Sequence, residues 1–327
     1  MIDLPGPLRL ALEAELDGYT AAELTKAAER LSQRYRVDEP ATQAILATPL
    51  ETAAYLTTRM PATYAAARQV FDRLAAANPD LKPRTLLDLG AGTGACTWAA
   101  ADAFPSLESS HLLDSCAPAL AVAQRMLTGT PLVVTQAQER IDRPGGATMG
   151  ESYDLAVCGY LLGELATGSQ DRVLGEMERT ATTVAVIEPG TPAGYRRVLA
   201  ARTFLVERGR ALLAPCPHEN GCPLGPTQDW CHFAVRLTRS IRHRQVKGGE
   251  RGYEDEKYAY VVASSQESQR RASRILRHPQ IRTGHVRMTV CSVEPGIENV
   301  TVSKRDRKNY RAARNAKWGD QWESASD

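Results

Sequence analysis

The segment Asp88-Leu89-Gly90-Ala91-Gly92-Thr93-Gly94 constrains this chain more than any other. It follows the apolar run at 85–89 and opens a stretch of helix formers at 95–104. A strand that ends in glycines and turns into a helix lets the backbone bend tightly and approach a ligand with no side chain between. The surrounding sequence keeps the same rhythm. Strands are expected at 85–89, 111–113, 131–134, 153–157 and 183–187, with helices at 95–104, 117–127 and 169–181. Strands alternating with helices at this spacing predict a parallel sheet covered on both faces.

The loop reads G-x-G-x-G, not the G-x-G-x-x-G of dinucleotide folds. Asp114 ends the next expected strand, 24 residues after Gly90, where a carboxylate can accept both hydroxyl protons of an adenosine ribose. With an acid before the loop, the pattern resembles the S-adenosylmethionine (SAM) loop of class I methyltransferases. A nicotinamide dehydrogenase and a ligand-free glycine turn are the weaker alternatives. The resemblance implies an α/β class I SAM-dependent (Rossmann-like) methyltransferase sheet. Asp88, Gly90, Gly92, Gly94 and Asp114 are its candidate SAM contacts. Asp88 is expected to hold the amino acid end, directly or through water, and Asp114 the ribose. An adenine contact is expected at 136–138. After the fourth strand, amino-methylating enzymes often carry Asn/Asp-Pro-Pro-aromatic. Here the chain reads Cys158-Gly159-Tyr160-Leu161-Leu162-Gly163-Glu164-Leu165. Cys158 has no proline beside it, as a pyrimidine-methylating nucleophile usually has, and reads as a core thiol. No catalytic residue is assigned.

Residues 7–78 read as helical, with leucines among strong helix formers. Thr20 and Glu23 fit a capping box, Pro40 and Pro61 mark breaks, and Asn78-Pro79 closes the region. The expected organisation is an N-terminal helical region (1–80), a SAM-binding core (81–208), a cysteine-rich basic insertion (209–252), the last sheet strands (253–300, with runs at 258–262 and 286–290) and a basic tail (301–327). No run approaches the roughly 18 apolar residues of a membrane span. The start carries Asp3, Glu13, Glu15 and Asp17, unlike a secretory signal or a transit peptide. A cytoplasmic chain is therefore expected.

Seven cysteines in 327 residues are an odd number in a chain too long for a small disulfide scaffold. Cys96, Cys116 and Cys158 fall on the expected sheet and its helices and read as packing residues. Cys216, Cys222 and Cys231 lie within 16 residues of a Pro- and Gly-rich segment that buries little apolar surface. A metal would hold such a segment. His218 and His232 are possible further ligands, and Cys291 could reach the insertion from the last strand. Zinc is the default for three cysteines plus one more ligand. An iron–sulfur cluster also uses four thiolates. The spacing alone does not choose.

Charge divides along the chain. Residues 1–200 carry 17 Lys and Arg against 24 Asp and Glu, and residues 201–327 carry 23 against 14. The basic half points to an anionic partner. Two runs concentrate it: Arg236, Arg239, Arg242, Arg244 and Lys247 with Arg251, then Lys304, Arg305, Arg307, Lys308, Arg311, Arg314 and Lys317. Either run alone could be a solvated face. Together, with Tyr310 and Trp318 in the second, they point to nucleic acid. The charged tail is expected to fold on RNA.

Arg59-Met60-Pro61-Ala62-Thr63-Tyr64 precedes the glycine loop. Pro215-Cys216-Pro217-His218, Trp230-Cys231-His232-Phe233 and Tyr253-Glu254-Asp255-Glu256-Lys257-Tyr258 follow it, with Val302-Ser303-Lys304-Arg305-Asp306 and Trp318-Gly319-Asp320 at the end. From about residue 55 to about 320 the chain resembles the methyltransferase-like proteins of the mitochondrial small ribosomal subunit and their bacterial relatives. The acidic start makes it look like one of the latter. The resemblance implies a 4Fe–4S cluster on Cys216, Cys222, Cys231 and Cys291. It also implies binding to small-subunit ribosomal RNA during assembly, as an RNA methyltransferase or as a non-catalytic platform. A zinc-stapled methyltransferase of another substrate is the remaining reading.

Overall fold

The computed structural model describes residues 1–36, 46, 48–141, 152–266, 272–294 and 296–323. Four helices come first: α1 (Gly6–Glu15), α2 (Ala21–Arg36), α3 (Pro49–Thr58) and α4 (Met60–Ala77). Leu8, Leu12, Leu16, Leu24 and Leu31 recur at helical spacing and are buried. The capping box before α2 forms: Thr20 N donates to Glu23 Oε2 at 2.9 Å and Glu23 N to Thr20 Oγ1 at 3.3 Å. Pro61 opens α4, where a missing N–H costs nothing. The break expected at Pro40 lies outside the described residues.

The main sheet is built from β1 (Thr85–Leu89), β2 (Ser109–Asp114), β3 (Val133–Gln138), β4 (Tyr153–Gly159), β5 (Ala181–Pro189), β6 (Ala211–Ala214), β7 (Phe233–Thr238) and β8 (Tyr253–Ser264). The helices α5 (Ala95–Ala103), α6 (Ala117–Leu127), α7 (Thr167–Thr180) and α8 (Pro192–Glu207) alternate with its parallel strands, and α9 (Ile241–Lys247) precedes β8. The strand order is β3-β2-β1-β4-β5-β8-β6. Strands β1 to β5 pair in parallel, while β8 runs antiparallel to both β5 and β6. This is a class I methyltransferase-like Rossmann fold, with its switch point between β1 and β4. All five expected parallel strands are present, and no described helix is long and apolar enough to cross a membrane.

Two expectations fail. The run at 286–290 does not join the main sheet. Strand β8 already has β5 on one edge and β6 and β7 end to end on the other, so no place is left beside it. The run becomes β11 (His285–Cys291) of a second sheet with β9 (Ser273–Ile275), β10 (Gln280–Arg282), β12 (Ile297–Ser303) and β13 (Gln321–Trp322). Val286, Met288 and Val290 alternate onto its buried face. The basic tail also does not wait for RNA to order it. It forms helix α10 (Arg307–Asn315), whose first turn is capped when Asp306 accepts from Asn309 N. Ala313 is buried against the second sheet, with Tyr310 and Ala316 packed beside it. Three apolar residues on one face suffice to dock a helix that is otherwise charged.

Candidate functional site

The glycine loop leaves β1 with left-handed backbone at Gly90, Gly92 and Gly94, at φ of 68°, 52° and 79°. A Cβ on Gly90 would strike Leu161 at 2.9 Å, and one on Gly94 would crowd Leu127 of α6 at 3.3 Å. A Cβ on Gly92 would meet nothing within 4 Å. Gly92 therefore faces open space. Asp114 Oδ2 accepts from Gly92 N at 2.8 Å and Oδ1 from Cys116 N at 2.7 Å, which ties the loop to the end of β2. Each carboxylate oxygen still has acceptor capacity. Burial raises the Asp114 pKa, and those backbone N–H groups pull it back. Asp88 is fully buried, and its Oδ2 accepts from Thr97 N and Oγ1 at 3.1 and 2.8 Å. Asp88 Oδ1 has no partner. Burial lifts its pKa to about 7 against the pull of Thr97. Near the expected adenine contact, Gln136 and Gln138 are exposed, and Gln138 Nε2 donates to Ser115 O at 3.3 Å.

The wall after β4 holds residues that sequence reasoning missed. Among the described residues, Tyr160 is the one non-glycine with a left-handed backbone, at φ 60°. Its hydroxyl donates to Glu256 Oε1 on β8 at 2.9 Å. Burial raises both pKa values, and the charge of Arg59, between α3 and α4, opposes the rise. Glu164 stands where it feels Asp114 and Glu188, and burial first, then those charges, lift it to about 8. Tyr160, Glu164, Glu256 and Arg59 all keep partial exposure. Cys158 is buried in β4, as expected of a packing thiol.

Cys216, Cys222, Cys231 and Cys291 line one cavity, with Tyr195 of α8, Arg202 and Arg274. Cys216 follows β6, Cys231 precedes β7, Cys222 lies in the loop between, and Cys291 ends β11 of the second sheet. All four are free thiols. Tyr195 Oη lies 3.3 Å from Cys222 Sγ. Burial and mutual repulsion raise the Cys231 pKa and push Cys291 to about 12. Neither His218 nor His232 lines the cavity. The His232 ring stacks on Trp230 and meets the edge of Trp318, with centroids 5.1 and 5.0 Å away. Among the described residues, no three Cys, His, Asp or Glu side chains converge on one point as a single metal ion requires.

The two basic runs differ. In the first, Arg236 pairs with Asp255 at 2.7 Å and lies over the Tyr253 ring. Arg239 and Lys247 each reach Glu254 at 2.8 Å. Burial alone would raise the Glu254 pKa, but His243 Nε2 3.3 Å away and the hydrogen bonds from Lys247 and Arg239 carry it well below the usual range. Arg242 Nη1 donates to Leu16 O and Tyr19 O at 2.9 and 3.1 Å, past the end of α1. Arg244 is exposed. In the second run, Lys304, Arg305, Arg307, Lys308, Arg311, Arg314 and Lys317 are all exposed, and none forms an ion pair among the described residues.

The family described as Mitochondrial small ribosomal subunit Rsm22 matches residues 49–323, from the start of α3 to just past β13. The chain belongs to the Rsm22 family. The human ribosome assembly protein METTL17, mitochondrial, is 27% identical over 300 residues, covering 81% of this chain and 61% of the human protein. The mitochondrial Rsm22-cox11 tandem protein 2 of Schizosaccharomyces pombe is 24% identical over 321 residues, covering 82% of this chain and 42% of the yeast protein. The chain thus spans less than two thirds of either relative. Both are mitochondrial by name. In three dimensions the chain is similar to an O-methyltransferase family protein from Burkholderia thailandensis. That likeness has 12% identity and a TM-score of 0.45, and covers 81% of this chain and 73% of the other.

Proposed function

We propose that this Rsm22-family chain binds SAM and the small-subunit ribosomal RNA, and acts in assembly of that subunit with a 4Fe–4S cluster on Cys216, Cys222, Cys231 and Cys291. The observation that carries the RNA reading is the run on and around α10, four of its cations on the helix and three beside it, where seven exposed cations have no ion-pair partner among the described residues. Such a face exchanges bound counterions for phosphates. The first basic run contributes less, because Arg236, Arg239, Arg242 and Lys247 are engaged within the fold.

The residues present fit SAM. The open side of Gly92 leaves room for the ligand's backbone-facing edge. The unpartnered Oδ1 of Asp88 suits an ammonium group, directly or through water. Asp114 retains acceptor capacity for the ribose hydroxyls. When bound, SAM supplies an electrophilic methyl group on a sulfonium. Tyr160 and Glu256 then form the acceptor end of the cleft, where Glu256 can take a proton that Tyr160 helps to position. The cysteines fit a cluster. Zinc draws its sulfurs to about 2.3 Å from a common point, whereas these four thiols surround a cavity. Bound there, the cluster supplies a structural tie between the insertion and the second sheet.

A second reading, a platform that transfers nothing, is favoured by the missing Asn/Asp-Pro-Pro-aromatic motif after β4. The test incubates the full chain with methyl-labelled SAM and immature small subunits, then sediments them. Cosedimentation that is lost on reversing Arg305, Arg307, Arg311 and Arg314 to Glu supports RNA binding. Label in the RNA identifies an enzyme, and cosedimentation without label identifies the platform. Unchanged affinity and salt slope in the reversed variant would contradict the RNA reading.

A further inference from the structure

We infer that Arg202 and Arg274 are counter-ions built into the fold for an anionic four-thiolate centre, and that Tyr195 and Arg202 donate hydrogen bonds to it. The inference rests on the cluster reading above and goes beyond it by assigning the residues that set the centre's charge balance.

Arg202 of α8 and Arg274 of β9 are only 5% and 4% exposed, and both line the cysteine cavity. Arg202 Nη2 donates to the carbonyls of His218 and Asn220. Arg274 donates to Pro215 O at 2.9 Å and Gly319 O at 3.0 Å. Carbonyls orient a guanidinium but do not neutralise it. Among the described residues, neither arginine has a carboxylate within ion-pair reach. Asp320 attracts Arg274 only from farther away and lies 3.9 Å from Arg73. Arg202 Nε, also buried, has no partner at all.

An isolated buried charge costs several kcal/mol, and arginine cannot escape by losing its proton. Two such charges facing one cavity call for an anion inside it. Protonated thiols do not supply one. Metal-bound thiolates do: four of them around a core of about two positive charges leave about two negative charges. Two guanidinium groups offset that remainder. The free Nε of Arg202 and the hydroxyl of Tyr195, at 3.3 Å from Cys222 Sγ, are the available donors to sulfur. Hydrogen bonds and nearby positive charge favour the more reduced, more negative state, so both raise a cluster's potential. The same charge balance would serve zinc, and the potential separates the two.

The test uses the full chain purified without air, as wild type, Arg202→Met, Arg202→Lys, Arg274→Met and Tyr195→Phe. Iron and acid-labile sulfide per chain are measured, then the midpoint potential by spectroscopic titration. Wild type should load. Arg202→Met and Arg274→Met should hold less than half the wild-type iron and titrate at a more negative potential. Arg202→Lys should recover loading. Tyr195→Phe, which removes one hydroxyl, should load fully and shift the potential in the same direction by less. A wild type with iron and sulfide whose loading and potential are matched by both Met variants and by Tyr195→Phe overturns the counter-ion inference. A wild type with neither iron nor sulfide overturns the cluster reading itself.

Discussion

Asp88 carries a burial penalty that the proposed SAM would relieve. Its folded pKa of about 7 lies above the ordinary value of 3.8. Between those values the folded chain keeps a proton that the unfolded chain has lost. The associated stability is fully present below about pH 4 and is lost as pH rises through 7. Asp88→Asn should therefore flatten the decline in Tm between pH 5 and pH 8. The ionised carboxylate favours a cationic ligand, so SAM affinity should rise across the same interval in wild type and stay level in the variant, measured by calorimetry. Asp114→Ala should weaken SAM about tenfold or more, the loss expected when hydrogen bonds to a charged group worth about 1.5–3 kcal/mol disappear. The glycine turn was legible because left-handed backbone at Gly90, Gly92 and Gly94 demands glycine. Tyr160 was not legible. It takes the left-handed conformation with a side chain that rarely adopts it, and its partner Glu256 is 96 residues away. Glu254, Asp255 and Glu256 are consecutive, yet only Glu256 meets Tyr160, while its neighbours pair with Lys and Arg.

Elements decide what the basic residues do. Arg242 sits in a charged run but holds α9 to the end of α1 through two carbonyls. Arg242→Ala should cost about 2 kcal/mol, a fall of about 3 °C in Tm for a chain of this length, and leave the salt dependence of RNA binding unchanged. The contrary pattern is expected on α10. Each cation neutralised there by substitution should reduce the salt slope by about 0.7 for single-stranded RNA, with little change in Tm. A filter-binding series at several salt concentrations separates the two. Composition could not make this distinction, since it depends on which cations the β7–β8 pairing brings against Glu254 and Asp255. Strands β1, β4 and β5 were legible as apolar runs because they are buried on both faces, whereas the edge strand β3 is largely exposed. Strand β6 has four residues and β7 begins just past a cysteine loop, so neither stood out. The second sheet escaped for a different reason. Its strands alternate like any half-buried strand, and only the occupied edges of β8 show that β11 must pair elsewhere.

At the scale of the molecule, the four cysteines line one cavity where the insertion meets the second sheet. Three come from the insertion between β6 and β7, and the fourth ends β11 in the second sheet. Arg274 of β9 crosses the same junction to Pro215 O. Helix α10 packs on the second sheet and the glycine loop leaves the first, so the junction lies between the basic face and the glycine loop. Loss of the proposed cluster should loosen this junction, and protease should then cut near the insertion before it cuts β1 to β5. The most direct test of the account is iron and acid-labile sulfide per chain after purification without air, with Cys291→Ser beside the wild type. The account predicts about four irons and four sulfides, lost in the variant. Stoichiometric zinc without sulfide would contradict it.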